Sequence, residues 1–538
     1  MDFKPHLPEP YEGERPASYA DRMGRAIATL TAPERKKRFG QYLTPLEVAD
    51  FMSRACTSGA GRLRVLDPGA GAGVLSCALL EVLAERHPGP REIELEAYEH
   101  DPHLADCLAG CLDYAHSWLR AKRVTLKFSV RTDDFVLTNA PALGGLPRLF
   151  PSEGQAGEGF DVVISNPPYF KIPKSDPRAR AAAAVVHGQP NIYALFMAVS
   201  ASLLRPDGEM VFIIPRSFTA GPYFRLFREH FFTLMRPTAV HLFGSRREAF
   251  GRDEVLQENI ILSARRAGAS PAPPTGYQVE VSFSEGVKDL RARRKRQLPL
   301  SDVLDVRHGD TMLRVPVADE DGEIARVVRS WAGGLHAYGL EISTGPVVPF
   351  RAGPLLSRSG IVPDTHAPLL WMQNVTPMRV EWPAGAKGKE EYIKVNEFSA
   401  PLLVPDRSYV LMRRFSAKEA RRRLVAAPLL QGAFNSPLIG LENHLNYIHR
   451  RGGTLSETEA VGLAALLNSS VIDLYFRTFN GNTQVSATEM RAMPLPPLEL
   501  IEEIGRRVKP FRADAEKVDT VVEGMLRISR RMAENANV

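Results

Sequence analysis

The sequence predicts an α/β protein with a doubly wound, mostly parallel sheet, followed by a second domain of mixed α+β structure. Short apolar runs, such as residues 63–67 and 160–165, alternate with helical patterns through the first half of the chain. That alternation is typical of a sheet covered by helices on both faces. Glycine- and proline-rich turns end several of these runs abruptly. From about residue 300 the alternation gives way to shorter strand patterns and turns.

Length and composition limit the classes of protein. The chain has 538 residues, more than one hydrophobic core usually supports, so two or three domains are expected. The formal net charge of +6 favours a polyanionic partner. No secretory signal and no apolar run of about 20 residues is found, which predicts a cytoplasmic protein without a membrane partner. No second Cys/His pair has zinc spacing, so no metal site is expected and reduced thiols are predicted for Cys56, Cys77, Cys107 and Cys111.

The strand pattern of residues 160–165 ends at Asn166, Pro167, Pro168 and Tyr169. Proline locks φ and has no N–H, so a stiff platform with free carbonyl groups is expected here. If the Asn166 amide oxygen and the Pro167 carbonyl accepted the two hydrogens of an adenine amino group, its lone pair could attack a methyl group while Tyr169 stacked on the ring. The same tetrapeptide is also typical of a strand that simply ends in a turn.

A glycine loop and two acidic positions follow other predicted strands. Residues 63–67 run into residues 68–73, Pro-Gly-Ala-Gly-Ala-Gly, and then into a helix, so the backbone can approach a ligand closely. Val74 stands where a dinucleotide-binding fingerprint would need glycine. Glu99, after the second strand, could accept hydrogen bonds from ribose hydroxyls, and Asp134 could meet an adenine edge. Upstream, Thr44 is predicted as a helix N-cap, with Pro45 as the first helical residue.

In this order, the motifs resemble those of gamma-class DNA adenine-N6 methyltransferases of type II restriction-modification systems. The resemblance covers roughly residues 35–265 by motif and the remainder by general layout. The matching motifs are residues 39–45, residues 66–73, Glu99, Asp134 with Phe135, and residues 166–169. One departure is Gly69, since the family often has Ser, Ala or Cys after this proline.

The resemblance implies S-adenosyl-L-methionine as the cofactor and double-stranded DNA as the partner, with the target adenine flipped out of the stack. A second aromatic from residues 243–250 is expected on the other face of that base. The catalytic residues implied by the resemblance are Asn166, Pro167, Pro168 and Tyr169. The implied cofactor-binding residues are Tyr42, Thr44, Asp67, Gly69, Gly71, Glu99 and Asp134.

The predicted domains are an N-terminal extension (1–34), a methyltransferase domain (35–275), a DNA target-recognition domain (290–500) and a C-terminal helical segment (501–538). The basic run at residues 291–296 is explained equally well by a solvated helix face and by phosphate contact. Side chains able to read base edges occur near residues 413–423, 443–451 and 480–486, although each stretch is also typical of a surface loop.

Other function classes remain as alternatives. Some RNA methyltransferases and protein-glutamine methyltransferases share the Asn-Pro-Pro-Tyr motif, but their chains generally lack a long C-terminal domain. A non-catalytic DNA-binding subunit would not need a methyl-donor site. Residues 1–38 are too few for a nuclease domain and no convincing acidic nuclease cluster follows, so a separate restriction endonuclease is the expected partner. The target sequence and the oligomeric state cannot be deduced from the sequence.

Overall fold

The computed structural model describes residues 8–30, 43–59, 61–86, 91–144, 159–244, 258–268, 273–307, 310–358, 365–385, 388–417, 420–480 and 483–527. The chain divides into two compact units, Met1–Val317 and Ala318–Val538. The predicted sequence domains placed their boundary earlier, between residues 275 and 290.

The first unit contains a large sheet with helices around it. Its helices are α1 (Pro16–Leu30), α2 (Leu46–Ala55), α3 (Val74–Arg86), α4 (Pro102–Arg120), α5 (Phe135–Asn139), α6 (Pro177–Ala181), α7 (Ile192–Leu203), α8 (Arg225–Leu234) and α9 (Leu300–Val303). Its strands are β1 (Arg62–Asp67), β2 (Arg91–Tyr98), β3 (Val124–Arg131), β4 (Phe160–Ser165), β5 (Leu204–Pro215), β6 (Met235–Phe243), β7 (Asn259–Arg266), β8 (Gln278–Ser284), β9 (Arg294–Pro299), β10 (Leu304–Arg307) and β11 (Asp310–Leu313).

The nine-stranded sheet has the order β3-β2-β1-β4-β5-β7-β6-β8-β9. Neighbouring strands among β1 to β5 pair in parallel, and so do β6 and β8. Strand β7 lies antiparallel between β5 and β6, and β9 is antiparallel to β8. This mostly parallel, doubly wound sheet confirms the predicted fold class. Because the carboxyl ends of parallel strands meet at one edge, the segments after β1, β2 and β4 lie next to one another.

The core of this unit explains the near-continuous apolar runs in the sequence. Strand β4 is buried along its whole length, as expected for a central parallel strand covered on both faces. The predicted N-terminal extension contributes α1 to the same core, since Ala17, Ala20 and Met23 are fully buried. Arg15, just before α1, lies 2.6 Å from both Glu81 and Asp50 and so ties α1 to α3 and α2.

Three local predictions differ from the structure. The second helix begins at Leu46 with Pro45 as its N-cap residue and no side-chain cap, so the predicted capping role of Thr44 is wrong. Residues 205–208, Arg-Pro-Asp-Gly, have a sequence that predicts a turn, but they lie inside β5, where a register shift against β4 lets Asp207 adopt a φ of 63°. The basic run at residues 291–296 is a short 3-10 turn leading into β9, the last strand of the sheet, and not a helix face.

The second unit combines small sheets with helices, which confirms the predicted α+β structure. Its helices are α10 (Asp319–Ser330), α11 (Pro349–Ala352), α12 (Glu457–Asn468), α13 (Ser470–Arg477), α14 (Ala487–Arg491), α15 (Leu498–Val508) and α16 (Ala515–Met525). Its strands are β12 (Leu340–Thr344), β13 (Leu356–Ser357), β14 (His366–Leu370), β15 (Val375–Thr376), β16 (Arg379–Val380), β17 (Tyr392–Lys394), β18 (Leu403–Pro405), β19 (Tyr409–Arg413), β20 (Ala426–Leu429), β21 (Leu438–Leu441) and β22 (Leu445–Arg450). The sheets have the orders β12-β22-β19-β20, β13-β17-β14-β21-β18 and β15-β16.

The helices near the C-terminus pack inside this unit. Helix α15 lies so close to α12 that a Cβ atom added at Gly505 would sit 2.1 Å from the Thr458 carbonyl oxygen. In the described parts of the chain, no single helix is long and apolar enough to cross a membrane, and only the pair α12 and α13, bent by 54°, has the length and composition when taken together.

Candidate active site

The Asn-Pro-Pro-Tyr segment follows β4 at the carboxyl edge of the sheet, and its side chains are held by hydrogen bonds. The Tyr169 hydroxyl lies 2.6 Å from Asn166 Oδ1 and 2.7 Å from the carbonyl oxygen of Ile213, in β5. Asn166 Nδ2 donates to Thr44 Oγ1 at 3.1 Å. The amide of Asn166 therefore has a defined orientation, with its nitrogen towards the segment before α2 and its oxygen towards Tyr169.

This arrangement explains why Thr44 does not cap α2. Its hydroxyl accepts from Asn166, while the Pro45 carbonyl accepts from the Ala49 N–H and starts the helical hydrogen bonds. Thr44 is 7% exposed, so it meets Asn166 in a largely dry environment where a hydrogen bond orients its partners well. The sequence places these two residues 122 positions apart and contains no signal for their contact.

Tyr169 itself is part of the packed structure. Its side chain is only 7% exposed, and its ring meets Tyr193 edge to face with ring centres 6.3 Å apart. Pro167 is buried and Pro168 is half-buried, as expected for a stiff platform. No described residue donates a hydrogen bond to the Pro167 carbonyl.

The glycine loop lies against the Asn-Pro-Pro segment. A Cβ atom added at Gly69 would be 3.7 Å from the Asn166 carbonyl oxygen, the Ser165 hydroxyl and the Phe196 ring, so the two segments lie close together. Gly73 has a φ of 90° and an added Cβ would be 2.8 Å from Leu108, so only glycine fits this turn. The backbone of this loop therefore lies beside the Asn166 platform.

Asp67 contacts the glycine loop through a hydrogen bond from the Gly69 N–H. It is fully buried at the end of β1, where it accepts a hydrogen bond of 2.7 Å from the Ser76 hydroxyl and a longer one of 3.4 Å from the Gly69 N–H. Burial raises the pKa of Asp67 to about 7, against the opposing effect of the Ser76 hydrogen bond. Ser76, on α3, is a site residue that sequence reasoning did not identify.

Glu99 joins the second strand to the loop. Its carboxylate accepts from the Gly71 N–H at 3.0 Å and from the Asp101 N–H at 2.8 Å. Burial raises the pKa of Glu99 to about 7, although both N–H groups favour the charged form. The carboxylate therefore orders the backbone that a ligand would meet.

The remaining predicted cofactor residues lie near this edge or outside the described ranges. Asp134 is the N-cap of α5 and accepts from the Leu137 N–H at 3.0 Å. Phe135 is 3% exposed, and its ring centre is 5.1 Å from that of Phe196, on α7. Tyr42, and most of the stretch 243–250 that was expected to supply a second aromatic, lie outside the described residues.

Two buried oxygens in this region have no described hydrogen-bond partner. These are Ser165 Oγ, next to Asn166, and Asn191 Oδ1, just before α7. Such groups cost free energy when they stay unpaired, so both oxygens would gain from a polar partner. The glycine turns, the two carboxylates and the Phe135–Phe196 pair together fit a cofactor that has an amino-acid part and a nucleoside part.

Separately, a cavity of about 920 Å³ is lined by residues such as Phe51, His241 and Arg293, and by none of the predicted site residues.

The four cysteines play no part in this site. All four are buried and free, and burial raises the pKa of Cys56 and Cys77. No group of three or more His, Cys, Asp or Glu side chains suited to a metal ion occurs among the described residues.

Comparison with known proteins extends the likeness over nearly the whole chain. Residues 125–250 match the model of the Eco57I restriction-modification methylase family. The type II methyltransferase M.BsuBI of Bacillus subtilis is 32% identical over 478 residues, which cover 88% of this chain and 90% of that protein. The type II methyltransferase M.PstI of Providencia stuartii is 30% identical over 505 residues, covering 94% and 96% of the two chains. The chain belongs to the type II methyltransferases of restriction-modification systems.

Proposed function

We propose that this protein transfers a methyl group from S-adenosyl-L-methionine to the N6 atom of an adenine in double-stranded DNA. The observation that carries the proposal is the Asn166 amide, held between Thr44 and Tyr169 beside the glycine loop. DNA as the substrate is supported by the restriction-modification family of the chain and by its net charge of +6.

The proposed chemistry depends on two acceptors for one amino group. The lone pair of the adenine amino nitrogen is delocalised into the ring, so it is a poor nucleophile. An amide oxygen can accept more than one hydrogen bond, and the bond from Tyr169 orients Asn166 Oδ1. Asn166 Oδ1 and the Pro167 carbonyl would accept the two N–H groups of adenine and draw the nitrogen towards tetrahedral geometry. Positioning and electrostatics, rather than a catalytic base, would then supply the rate enhancement.

The cofactor residues have separable roles in this proposal. When bound, S-adenosyl-L-methionine supplies an electrophilic methyl group on a sulfonium centre. Glu99 would accept hydrogen bonds from the ribose hydroxyls, while the backbone of residues 69–71 would face the amino-acid part. Phe135 and Phe196 offer apolar ring surface for the cofactor adenine, and Asp134 lies at the start of the same helix.

A target adenine must leave the base stack to reach Asn166, which costs a few kcal/mol. Tyr169 is the implied stacking partner, but its ring is largely buried and its hydroxyl is engaged. In our proposal the target adenine therefore stacks only on the small exposed part of the Tyr169 ring. The tyrosine would then contribute both to stacking and to the orientation of Asn166.

Methylation with labelled S-adenosyl-L-methionine tests the proposal directly. Duplex DNA of mixed sequence should acquire label in N6-methyladenine after digestion to nucleosides, and Asn166→Ala should remove most of it. RNA and total protein from the same host serve as competing substrates. Label in those substrates and none in DNA would contradict the proposal, as would label in a methylated cytosine.

The cellular role follows from the family. We infer that methylation in the cytoplasm protects host DNA from a separate restriction endonuclease with the same target. Genomic DNA from a host that expresses the active enzyme should resist one endonuclease specificity, and DNA from a host expressing Asn166→Ala should not.

A further inference from the structure

Three loops of the second unit, far apart in sequence, meet at one surface. They are residues 414–416, residues 442–445 and residues 483–486, here called the three-loop platform. The Arg414 N–H donates to the His444 carbonyl at 2.9 Å, and the Val485 N–H donates to the Arg414 carbonyl at 2.8 Å. The Ser416 N–H donates to the Thr483 carbonyl at 3.0 Å. Backbone bonds therefore fix the relative positions of all three loops.

The platform presents Gln484 in a defined orientation. With the amide oxygen of Gln484 facing Arg414, Oε1 accepts from Arg414 Nη2 at 2.9 Å and from Nε at 3.2 Å. Arg414 is itself anchored, since Nη1 donates to the Asn443 carbonyl at 2.9 Å. This fork uses the oxygen of the Gln484 amide and leaves its NH2 group, with two N–H donors, directed away from Arg414.

His444 also has neighbours that restrict its orientation, Glu442 and Phe415. Its side chain is 50% exposed, and its Nδ1 lies 2.7 Å from Oε1 of Glu442, whose side chain is 1% exposed. The two carboxylate oxygens of Glu442 have no aligned hydrogen-bond donor among the described residues. The Phe415 ring meets the imidazole edge to face with ring centres 5.1 Å apart. Nδ1 thus faces the buried acid, and Nε2 lies on the other side of the ring.

Buried polar groups beneath the platform keep the third loop rigid. Asn480 Nδ2 donates to the Gln484 carbonyl at 3.2 Å and to the buried Glu489 at 3.1 Å, and its oxygen accepts from Arg423 at 3.1 Å. Asn446 Nδ2 donates to the Val485 carbonyl at 3.0 Å. Satisfied buried networks of this kind hold side chains in one geometry, at the cost of removing charged groups from water.

We propose that Gln484 and His444 determine the DNA target of this enzyme by contacting base edges in the major groove. The inference rests on the proposed function, because it needs duplex DNA as the substrate. Gln484 is oriented by a bidentate arginine, and His444 lies against a buried carboxylate and the Phe415 ring. Side chains with such fixed positions are what sequence-specific contact requires. A phosphate-binding surface needs no such fixed orientation, since a flexible cation serves it equally well.

The hydrogen-bonding groups left on the platform define the bases it would contact. The NH2 group of Gln484 is a donor, so its partners are major-groove acceptors: N7 of a purine, O6 of guanine or O4 of thymine. The Nε2 atom of His444 donates or accepts according to the tautomer. Two such contacts restrict two base pairs of the target.

The test is a comparison of methylation motifs between variants of the full chain. The wild-type motif is first determined by sequencing methylated genomic DNA from an expressing host. The variants are Gln484→Ala, Gln484→Glu and His444→Ala. Gln484→Glu keeps an acceptor for Arg414 and removes the NH2 donors, so it tests base contact if Gln484→Ala fails to fold. The matched controls, Gln431→Ala and His336→Ala, change exposed residues of the same types in the same unit.

Each platform variant should methylate additional sites that differ from the wild-type motif at one base pair. The ratio of kcat/KM for the wild-type site to kcat/KM for that altered site should fall by about 10-fold or more, as when one base contact is lost. Both controls should keep the wild-type motif and ratio. An unchanged motif and ratio in active platform variants would overturn the inference, and so would an equal loss of affinity for all DNA, which marks a phosphate contact. If the wild type methylated no DNA, the proposed function would fail, and this inference with it.

Discussion

Asn166 is the residue on which the proposed chemistry depends most directly. Asn166→Ala removes one acceptor for the adenine amino group and leaves Asp67, Glu99 and the glycine loop unchanged. The rate of methyl transfer should fall about 100-fold or more, as when a contact to the transition state is lost. Single-turnover rates and calorimetric titration with the cofactor would measure the two effects separately. A variant that keeps most of its activity, or that loses cofactor binding instead, would contradict the assigned role.

Thr44 acts on the same amide from the other side. Thr44→Val preserves the shape of the side chain but removes the acceptor for Asn166 Nδ2, whereas Thr44→Ser keeps the hydroxyl. The valine variant should therefore lose about 10-fold in the rate of methyl transfer, the value of roughly one hydrogen bond, and the serine variant should stay close to wild type. The comparison requires equal saturation with cofactor, since the resemblance also assigns Thr44 to cofactor binding. Equal rates for the two variants would show that the Thr44–Asn166 bond does not position the amide.

Glu99 should make the stability of the cofactor-free protein depend on pH. Its pKa is raised to about 7 from 4.5, so folding favours the protonated carboxyl. The stability that this group contributes is complete below about pH 4.5 and is lost as the pH rises through about 7. Glu99→Gln cannot ionise and escapes this loss, although it gives up one backbone hydrogen bond at every pH.

The thermal midpoint of Glu99→Gln minus that of wild type should thus be larger at pH 8 than at pH 5. The change in this difference corresponds to about 1–2 kcal/mol in the free energy of unfolding. Scanning calorimetry without cofactor at several pH values measures this difference, and Glu94→Gln, in the preceding strand β2, is a control. The same substitution should weaken cofactor binding by about 10-fold at pH 8, because a charged acceptor is replaced by a neutral one. A pH-independent difference in midpoint would mean that burial does not raise the pKa of Glu99.

At the scale of secondary structure, the close pair α12 and α15 depends on two glycines. A Cβ atom at Gly462 would be 1.9 Å from the Ile501 carbonyl oxygen, and one at Gly505 would be 2.1 Å from that of Thr458. Gly505→Ala forces the helix backbones apart and should lower the free energy of unfolding by about 1–3 kcal/mol.

The matched control for Gly505→Ala is Gly524→Ala. Gly524 is also helical, in α16, and has nothing within 4 Å of an added Cβ. Alanine there should be neutral or stabilise by up to about 1 kcal/mol, since glycine is a poor helix former. Thermal midpoints of the two variants measure the contrast. Equal thermal midpoints for the two variants would show that α12 and α15 can move apart without loss of stability.

The start of α2 shows why element boundaries are hard to predict. Thr44, Pro45 and Glu47 have the spacing of a capping box, yet the helix begins one residue later than predicted. The Thr44 hydroxyl has one position to occupy, and a half-buried partner that follows β4, Asn166, competes successfully with the local backbone N–H groups. A contact between residues distant in sequence thus overrides a local preference.

At the scale of the whole molecule, the basic run of residues 291–296 lies at an edge of the nine-stranded sheet. Exposed Arg294 and Lys295 are in β9, the last strand in the described order. Charged side chains on an edge strand oppose pairing with another chain. We therefore expect Arg294→Thr with Lys295→Thr to increase self-association, because threonine favours strands and the charge is lost.

Light scattering after size exclusion, over a range of protein concentrations, measures that self-association. Arg506→Gln with Arg507→Gln removes the same charge from the exposed face of α15 and should leave the molecular mass unchanged. Weaker binding to all DNA with no increase in mass would instead favour phosphate contact by β9, the alternative that the sequence left equally open.

The sequence by itself determined the fold class and which residues stand at the carboxyl ends of the central strands. Apolar runs at residues 63–67 and 160–165 are buried central strands because parallel strands covered on both faces must be apolar throughout. Asp67 is the last residue of β1, and Glu99 and Asn166 follow β2 and β4, so the topology alone brings these residues to one edge. These features are local, since each depends on a strand, a turn and the residue after them.

Only the tertiary structure decided which distant residues meet. The bond between Thr44 and Asn166, the support of Asp67 by Ser76, and the three-loop platform all join residues that no local pattern connects. The same holds for the extent of the sheet. Strands β8 and β9 lie beyond the proline-rich stretch at 265–275, and they belong to the sheet because β8 pairs with β6 and β9 pairs with β8. Side-chain contacts depend on the packing of whole elements, whereas strands, turns and helices are largely specified by neighbouring residues in the chain.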